Sequence, residues 1–378
     1  MDIINTFLAI IGKVIGLIVL LGALLTGATT LPPQPVATDS TSSPQATTAE
    51  FPAAPKAAAK PVPTNGLVEA KPTRGPLAEQ VSSAPTTPVT LPPPTKSQEQ
   101  VNIETRAALV NILCTSRIGI NGISGSGIIV DSRGVILTNA HVGQYFLLRD
   151  YITPGNITCT VRIGSPAQER YTATLLYLPP AWVAENASQL AAVQATGTGE
   201  NDYALLLITG RTDPLAALPG SFDRLEMDRG YADIGDQMLL AAYPAGFLGG
   251  EAVQKNLYIS SAIAYVTQLF SFGGNKKVDL FSIGGTVVSQ GGSSGGAVVR
   301  LSDGKLAGII TTSTTAASTE NRDLRAVSLS HIDDSLAAHG KGGIVVLLSG
   351  DLSAKAADFS ANLAPSLTAQ LQAAIKGN

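Results

Sequence analysis

Beyond about residue 100 the sequence predicts an all-β fold, on three observations. The chain carries 38 glycines among 378 residues. Its apolar residues fall in short runs separated by glycine-bearing turns, and extended stretches with helical periodicity are few. The runs are Val110 to Cys114, Gly127 to Val130, Val135 to Thr138, Tyr203 to Ile208, Ala297 to Leu301 and Leu306 to Thr311. Asp131-Ser132-Arg133-Gly134 and Ser302-Asp303-Gly304 lie between runs and read as hairpin turns. Helical exceptions are Ala181 to Val193, a short stretch after Ser330, and Ser366 to Ile375 with Leu367, Leu371 and Ile375 on one face.

Composition narrows the function classes. With 44% hydrophobic and 14% charged residues, apolar surface is ample for a sizeable core, and the length allows one to three domains. A net charge of −3 gives no basic footprint for nucleic acid. Two cysteines without a C-x-x-C spacing and three scattered histidines support neither a disulfide scaffold nor a zinc site, and no glycine loop is built to cradle phosphate. No metal or cofactor is called for.

The first 30 residues differ from the rest. Ile3 to Leu25 is almost wholly apolar, broken mainly by Asn5, Thr6 and Lys13. That is enough to span a bilayer core of about 30 Å as a transmembrane anchor. Read instead as a cleaved signal peptide, Val14 to Leu25 is the apolar region and Thr26-Gly27-Ala28 the cleavage site. Lys13 precedes the most apolar part, and no Lys or Arg follows until Lys56, so the remainder is expected outside the cytoplasm. The expected location is the cell membrane, single-pass, or the exterior after signal cleavage. Residues 31–100, rich in Pro, Ala, Thr and Ser, bury too little apolar surface to offset ordering entropy and read as a disordered linker.

Three stretches carry chemistry. In Gly292-Ser293-Ser294-Gly295-Gly296 the glycines permit a tight turn that exposes a hydroxyl and aims backbone N–H groups at a developing oxyanion. Two serines compete. Only Ser294 has glycine two residues before it and two glycines after it. Thr138-Asn139-Ala140-His141-Val142 ends a predicted strand, and His141 is the only histidine before His331. Asp202 immediately precedes an apolar strand, where it would be held near the interior and accept the His141 Nδ1–H bond.

Together these stretches resemble the trypsin-like serine protease superfamily, in its HtrA-like bacterial branch. Gly125 to Val130 followed by Gly134 to Val142 is similar to that branch's first hairpin. Asn201 to Leu206 resembles its aspartate motif and Gly292 to Gly296 its nucleophile motif, in the chain order His, Asp, Ser. The resemblance implies two antiparallel β-barrels (chymotrypsin-like) with the active site between them, within a protease domain over 101–340. His141 and Asp202 would come from a barrel at about 101–215 and Ser294 from one at about 230–328. The oxyanion hole would use the N–H groups of Gly292 and Ser294. Residues 341–378 are left as an extension with a short helix, too short for the PDZ domain that branch often carries.

The implied activity is a serine endopeptidase acting on extracytoplasmic proteins or peptides. The alternative is an inactive pseudoprotease that binds peptides in the envelope. Ser293 stands where animal digestive members keep the aspartate that receives a new N-terminus, so activation by that ion pair is not expected. Val288, six before Ser294, aligns with the floor of the substrate pocket, and Thr311 and Ser313 with its wall. No acid lies between Gly284 and Arg300, so an uncharged pocket is expected. Cys114 and Cys159 both fall in predicted strands of the first barrel and are read either as a disulfide or as two buried small hydrophobes.

Overall fold

Ser97 Oγ accepts the Gln100 N–H at 3.1 Å and starts helix α1 (Gln98–Ala108), which leads directly into the first strand. The computed structural model describes residues 96–191, 198–272, 277–313 and 318–376. The apolar segment at 3–25 and the linker as far as residue 95 lie outside the described residues. Among the described residues no helix is long and apolar enough to cross a membrane. Helix α1 was not anticipated, because a buried stripe of only Val101, Thr105 and Ala108 is too thin to register as helical periodicity.

The first sheet contains β1 (Leu109–Ser116), β2 (Ile123–Asp131), β3 (Val135–Thr138), β4 (Ile157–Ile163), β5 (Gln168–Tyr177) and β6 (Ala204–Arg211). It closes as a barrel in the order β1-β2-β3-β6-β5-β4, every pair antiparallel. The β2–β3 hairpin turns as its residues require: Gly134 has φ +88°, and its N–H donates to Asp131 O at 2.9 Å. Strand β6 is buried from Ala204 to Ile208 without alternation, because its outer face is also covered.

That cover is the C-terminal segment. Beyond helix α5 (Leu329–Ala338), and later in the chain than α2 (Ala140–Gly143), α3 (Pro180–Asn186) and α4 (Gly250–Lys255), come α6 (Gly343–Leu347), α7 (Leu352–Asp358), a π-helical turn at Phe359–Leu363 and α8 (Ala364–Lys376). Helix α7 packs on β5 and β6. Phe359 meets Tyr177 edge-on at 6.3 Å, and Thr368 Oγ1 donates to Leu147 O at 3.2 Å. Of the helices after residue 340 the sequence reading expects only the last, whose Leu367 and Leu371 are buried as its periodicity requires.

The second sheet has seven strands: β7 (Gln237–Ala242), β8 (Ser260–Tyr265), β9 (Gln268–Phe270), β10 (Leu280–Gly284), β11 (Ala297–Arg300), β12 (Leu306–Ser313) and β13 (Leu324–Ser328). Their order is β8-β7-β11-β12-β13-β10-β9. It is barrel-like rather than a fully hydrogen-bonded barrel. Strand β9 is three residues long and pairs with β10, so among the described residues no ladder joins it to β8.

The two sheets are tied by buried polar contacts. Arg162 on β4, 1% exposed, donates through Nε to Asn111 Oδ1 at 2.8 Å. Its Nη1 and Nη2 reach Gln254 O at 2.8 Å and Val253 O at 2.9 Å, on helix α4. A buried guanidinium must be saturated in this way, and here the acceptors come from both halves of the molecule. Ala167 N–H donates to Leu257 O at 2.7 Å and Tyr243 Oη–H to Gly164 O at 2.9 Å.

Cys114 and Cys159 sit directly opposite each other on β1 and β4 and form a disulfide that closes a 45-residue separation. Replacing both by Ala should lower the unfolding free energy by about 2–4 kcal/mol, through the freer unfolded chain. Denaturant titration of oxidised wild type against the double variant checks this. Equal midpoints at equal slopes would show the bond to be energetically idle.

Candidate active site

His141 and Asp202 meet because of where β3 and β6 begin and end. Thr138 pairs with Ala204 across β3–β6, so the residues just after β3 lie beside those just before β6. Asn139 caps this arrangement, its Nδ2 donating to Asp202 O at 2.8 Å. Asn201 adopts φ +58°, a left-handed conformation that asparagine tolerates, and the Tyr203 N–H closes on Asn201 O at 2.8 Å. Helix α5 braces this turn: Ser335 Oγ donates to Asn201 Oδ1 at 3.0 Å and accepts from Tyr203 Oη at 3.0 Å.

The Asp202 carboxylate is then surrounded by donors. Oδ1 accepts the His141 backbone N–H at 3.1 Å, and His141 Nδ1 lies 2.9 Å from Oδ2 and 3.2 Å from Oδ1. Thr311 Oγ1, from β12 of the second sheet, donates to Oδ2 at 2.8 Å. Burial works against the charge of Asp202, but the facing His141, its ring and backbone N–H bonds and the Thr311 hydroxyl prevail and hold the carboxyl below the ordinary carboxylate range. Burial likewise disfavours the imidazolium, yet the charge of Asp202 and its hydrogen bond lift His141 above its ordinary value. An ionised Asp202 fixes the proton of neutral His141 on Nδ1 and leaves Nε2 as the basic nitrogen.

Ser294 lies on the turn between β10 and β11. Its side chain is half-exposed, whereas Ser293 is 1% exposed and its Oγ has no hydrogen-bond partner among the described residues. Gly292 has φ +89°, and a Cβ there would meet Tyr243 O at 2.7 Å, so only glycine fits. Gly295 has φ +80°, and a Cβ there would collide with Ser126 O. Four successive carbonyls of the turn are occupied. Gly291 O accepts Ala245 N–H at 2.7 Å, Gly292 O accepts Ser126 Oγ–H at 2.8 Å, Ser293 O accepts Gly296 N–H at 2.8 Å and Ser294 O accepts Ser126 N–H at 2.8 Å. A peptide plane is rigid, so fixing its carbonyl fixes the N–H on the other side. Among the described residues the N–H groups of Gly292 and Ser294 have no protein acceptor. They are free to bind an anionic oxygen. No hydrogen bond joins Ser294 Oγ to His141 among the described residues.

The pocket residues fall differently from their alignment. Val288 is fully buried and belongs to the apolar cluster of the second sheet that includes Leu324 and Ala326. Thr311 turns its hydroxyl to Asp202, and the side chain of Ser313 lies outside the described residues. Arg322 donates to Ser289 O at 2.7 Å and stacks over Phe247 at 5.5 Å, bringing a cation beside the loop that the local alignment left uncharged. Sequence reasoning places Thr311 at the pocket wall but not its bond to Asp202, and it does not reach Ser126. Only the fold shows which loops they reach.

Two antiparallel sheets with a His–Asp pair on one and a glycine-framed serine turn on the other are consistent with a chymotrypsin-like fold. Residues 125–309, from β2 into β12 and including His141, Asp202 and Ser294, match the family model of the trypsin-like peptidase domain. Solved structures similar to it include the active form of the Rv3671c protease from M. tuberculosis. That likeness has 18% identity and a TM-score of 0.40, over 69% of this chain and 93% of that one. Another is the HtrA-type protease AlgW with a tripeptide, at 18% identity and a TM-score of 0.41, over 65% of each chain. No curated protein sequence matches the chain.

Thr311→Val should cost about 1.5–3 kcal/mol at neutral pH, the worth of a hydrogen bond to a charged group. Because the folded-state pKa of Asp202 is depressed, this stabilisation is present above the unfolded value of about 3.8 and lost as pH falls through the folded value. Denaturant unfolding at pH 7 and at pH 3 or below should show the gap narrowing in acid. A constant gap would detach Thr311 from the carboxylate's ionisation.

Proposed function

We propose that the chain is a serine endopeptidase that cleaves extracytoplasmic proteins through an acyl-enzyme. The observation that carries this reading is the buried Asp202, bound to His141 Nδ1 at 2.9 Å and to Thr311 Oγ1 at 2.8 Å, beside a serine turn with two unoccupied N–H groups. Ser294 Oγ attacks the scissile carbonyl while His141 Nε2 takes its proton. The carbonyl oxygen, now negative, is bound by the Gly292 and Ser294 N–H groups. His141 passes the proton to the leaving amine as the C–N bond breaks. Water, deprotonated by His141, then hydrolyses the ester and restores Ser294. Asp202 keeps the imidazole in the required tautomer and stabilises it when charged. The orientation argument from Lys13 supports a substrate pool outside the cytoplasm, reached from a membrane anchor or after release from a signal peptide.

Peptide binding without cleavage is the second reading. It is favoured by the lack of a hydrogen bond between Ser294 and His141. Hydroxyl–imidazole bonds in substrate-free sites are often long and tighten only in the complex, so the first reading is preferred.

A fluorophosphonate should label the wild-type chain, with the adduct mapped by mass spectrometry to Ser294. Ser294→Ala should lower kcat on the order of a million-fold and Asp202→Asn by about 10⁴-fold, both with the fold retained. Ser293→Ala should keep its activity. Loss in Ser293→Ala with retention in Ser294→Ala would move the nucleophile by one residue. An unlabelled, inactive wild type would leave the binding reading standing.

A further inference from the structure

We propose that Ser126, on strand β2 of the first barrel, is the positioning residue that holds the oxyanion turn of the second sheet in its competent form. The inference rests on the reading of Ser294 as nucleophile and adds to it the device that keeps the turn in order.

The turn needs such a device. Gly292 and Gly295 both take positive φ, and glycine has many other conformations open to it. The Ser293 side chain anchors nothing, since its buried Oγ has no partner among the described residues. There is also no acid at that position to receive a cationic N-terminus. The carbonyls of the turn must therefore be held by neighbours, and of the four occupied ones two are held by Ser126.

Ser126 is fully buried and makes a polar contact with each atom able to do so. Its N–H donates to Ser294 O at 2.8 Å, its hydroxyl donates to Gly292 O at 2.8 Å, and its carbonyl accepts Thr138 Oγ1–H at 2.7 Å. The hydroxyl oxygen also accepts the Tyr243 N–H at 2.9 Å, which fixes the direction of its own proton towards Gly292 O. One hydroxyl thereby joins β2, the segment after β7 and the nucleophile turn. Gly292 O belongs to the peptide that separates the two N–H groups of the hole, so holding it sets the angle between them. The other three carbonyls are held by main-chain N–H groups. The Ser126 hydroxyl is the one side-chain contact among the four, and a substitution can remove it alone.

Ser126→Ala removes the bond to Gly292 O and strands the Tyr243 N–H without changing the backbone of β2. A hole with one misplaced donor loses transition-state binding but not substrate binding. In the full-length protein the expected result is a fall in kcat of about 10- to 100-fold with KM within about twofold of wild type. Affinity for a peptide boronate, which presents a tetrahedral oxyanion to the hole, should fall by a similar factor. Affinity for a neutral peptide amide, measured in the Ser294→Ala background, should not change. Ser126→Cys, which retains a weak donor, should lie between Ala and wild type, and it carries the test if the Ala variant does not fold. A kcat in Ser126→Ala within threefold of wild type would overturn the proposal. So would equal losses of boronate and neutral peptide-amide affinity, which mark general loosening, or a Cys variant no better than Ala. A wild-type chain that neither cleaves peptides nor takes a fluorophosphonate at Ser294 removes the underlying reading, and the proposal with it.

Discussion

The buried carboxylate of Asp202 is the constraint on which the arrangement depends. An ionised group out of water is tolerated only if its oxygens are bound, and here the partners are drawn from two places. The His141 main chain and ring approach from the end of β3, and the Thr311 hydroxyl from β12 of the other sheet. The Asn201–Tyr203 turn, braced by Ser335, presents the residue at the required angle. The side-chain exposure of the pair, 8% for Asp202 against 27% for His141, gives the polarity of the device. The charge stays in the interior while the imidazole reaches the solvent-facing side, where a proton can be exchanged.

Satisfying Asp202 requires the two sheets to be docked, and the same docking orders the serine turn. Thr311 can reach Asp202 only if β12 lies against the start of β6. Ser126 can reach Gly292 O only if β2 lies against the nucleophile turn. Arg162 adds a third tie, from β4 to the carbonyls at the end of helix α4. Burial of a guanidinium whose hydrogen bonds all go to neutral oxygens among the described residues contributes little to net stability, but its planar fork tolerates little displacement. These contacts read best as devices that specify how the halves meet, with the apolar core supplying the bulk of the stabilisation.

Much of this was legible in the sequence where the signal is local. The Asp131–Gly134 turn, the β3 strand ending before His141, the apolar β6 strand and the glycine frame around Ser294 all follow from residue types at short spacing. The long-range relations were not legible. Thr311 was read as a pocket wall because it sits on the right strand, but which way a side chain turns depends on the register with β13, which shifts between Ile310 and Thr312. Val288 was placed at the pocket floor by counting back from Ser294, but the apolar side chain is drawn into the core of the second sheet. The helices Gly343–Leu347 and Leu352–Asp358 are not legible because they are short, and the apolar face of the second makes sense only against the outside of β5 and β6.

The central claim is that burial and pairing at Asp202 set the chemistry of His141. The most direct test is an NMR titration of the His141 imidazole in wild type and in Asp202→Asn. The structure predicts a wild-type midpoint above the ordinary value of about 6.5, because the carboxylate's charge and hydrogen bond outweigh burial. In Asp202→Asn only the burial remains, so the midpoint should fall below that ordinary value. A wild-type midpoint at or below about 6.5, or one that the substitution leaves unchanged, would contradict the account.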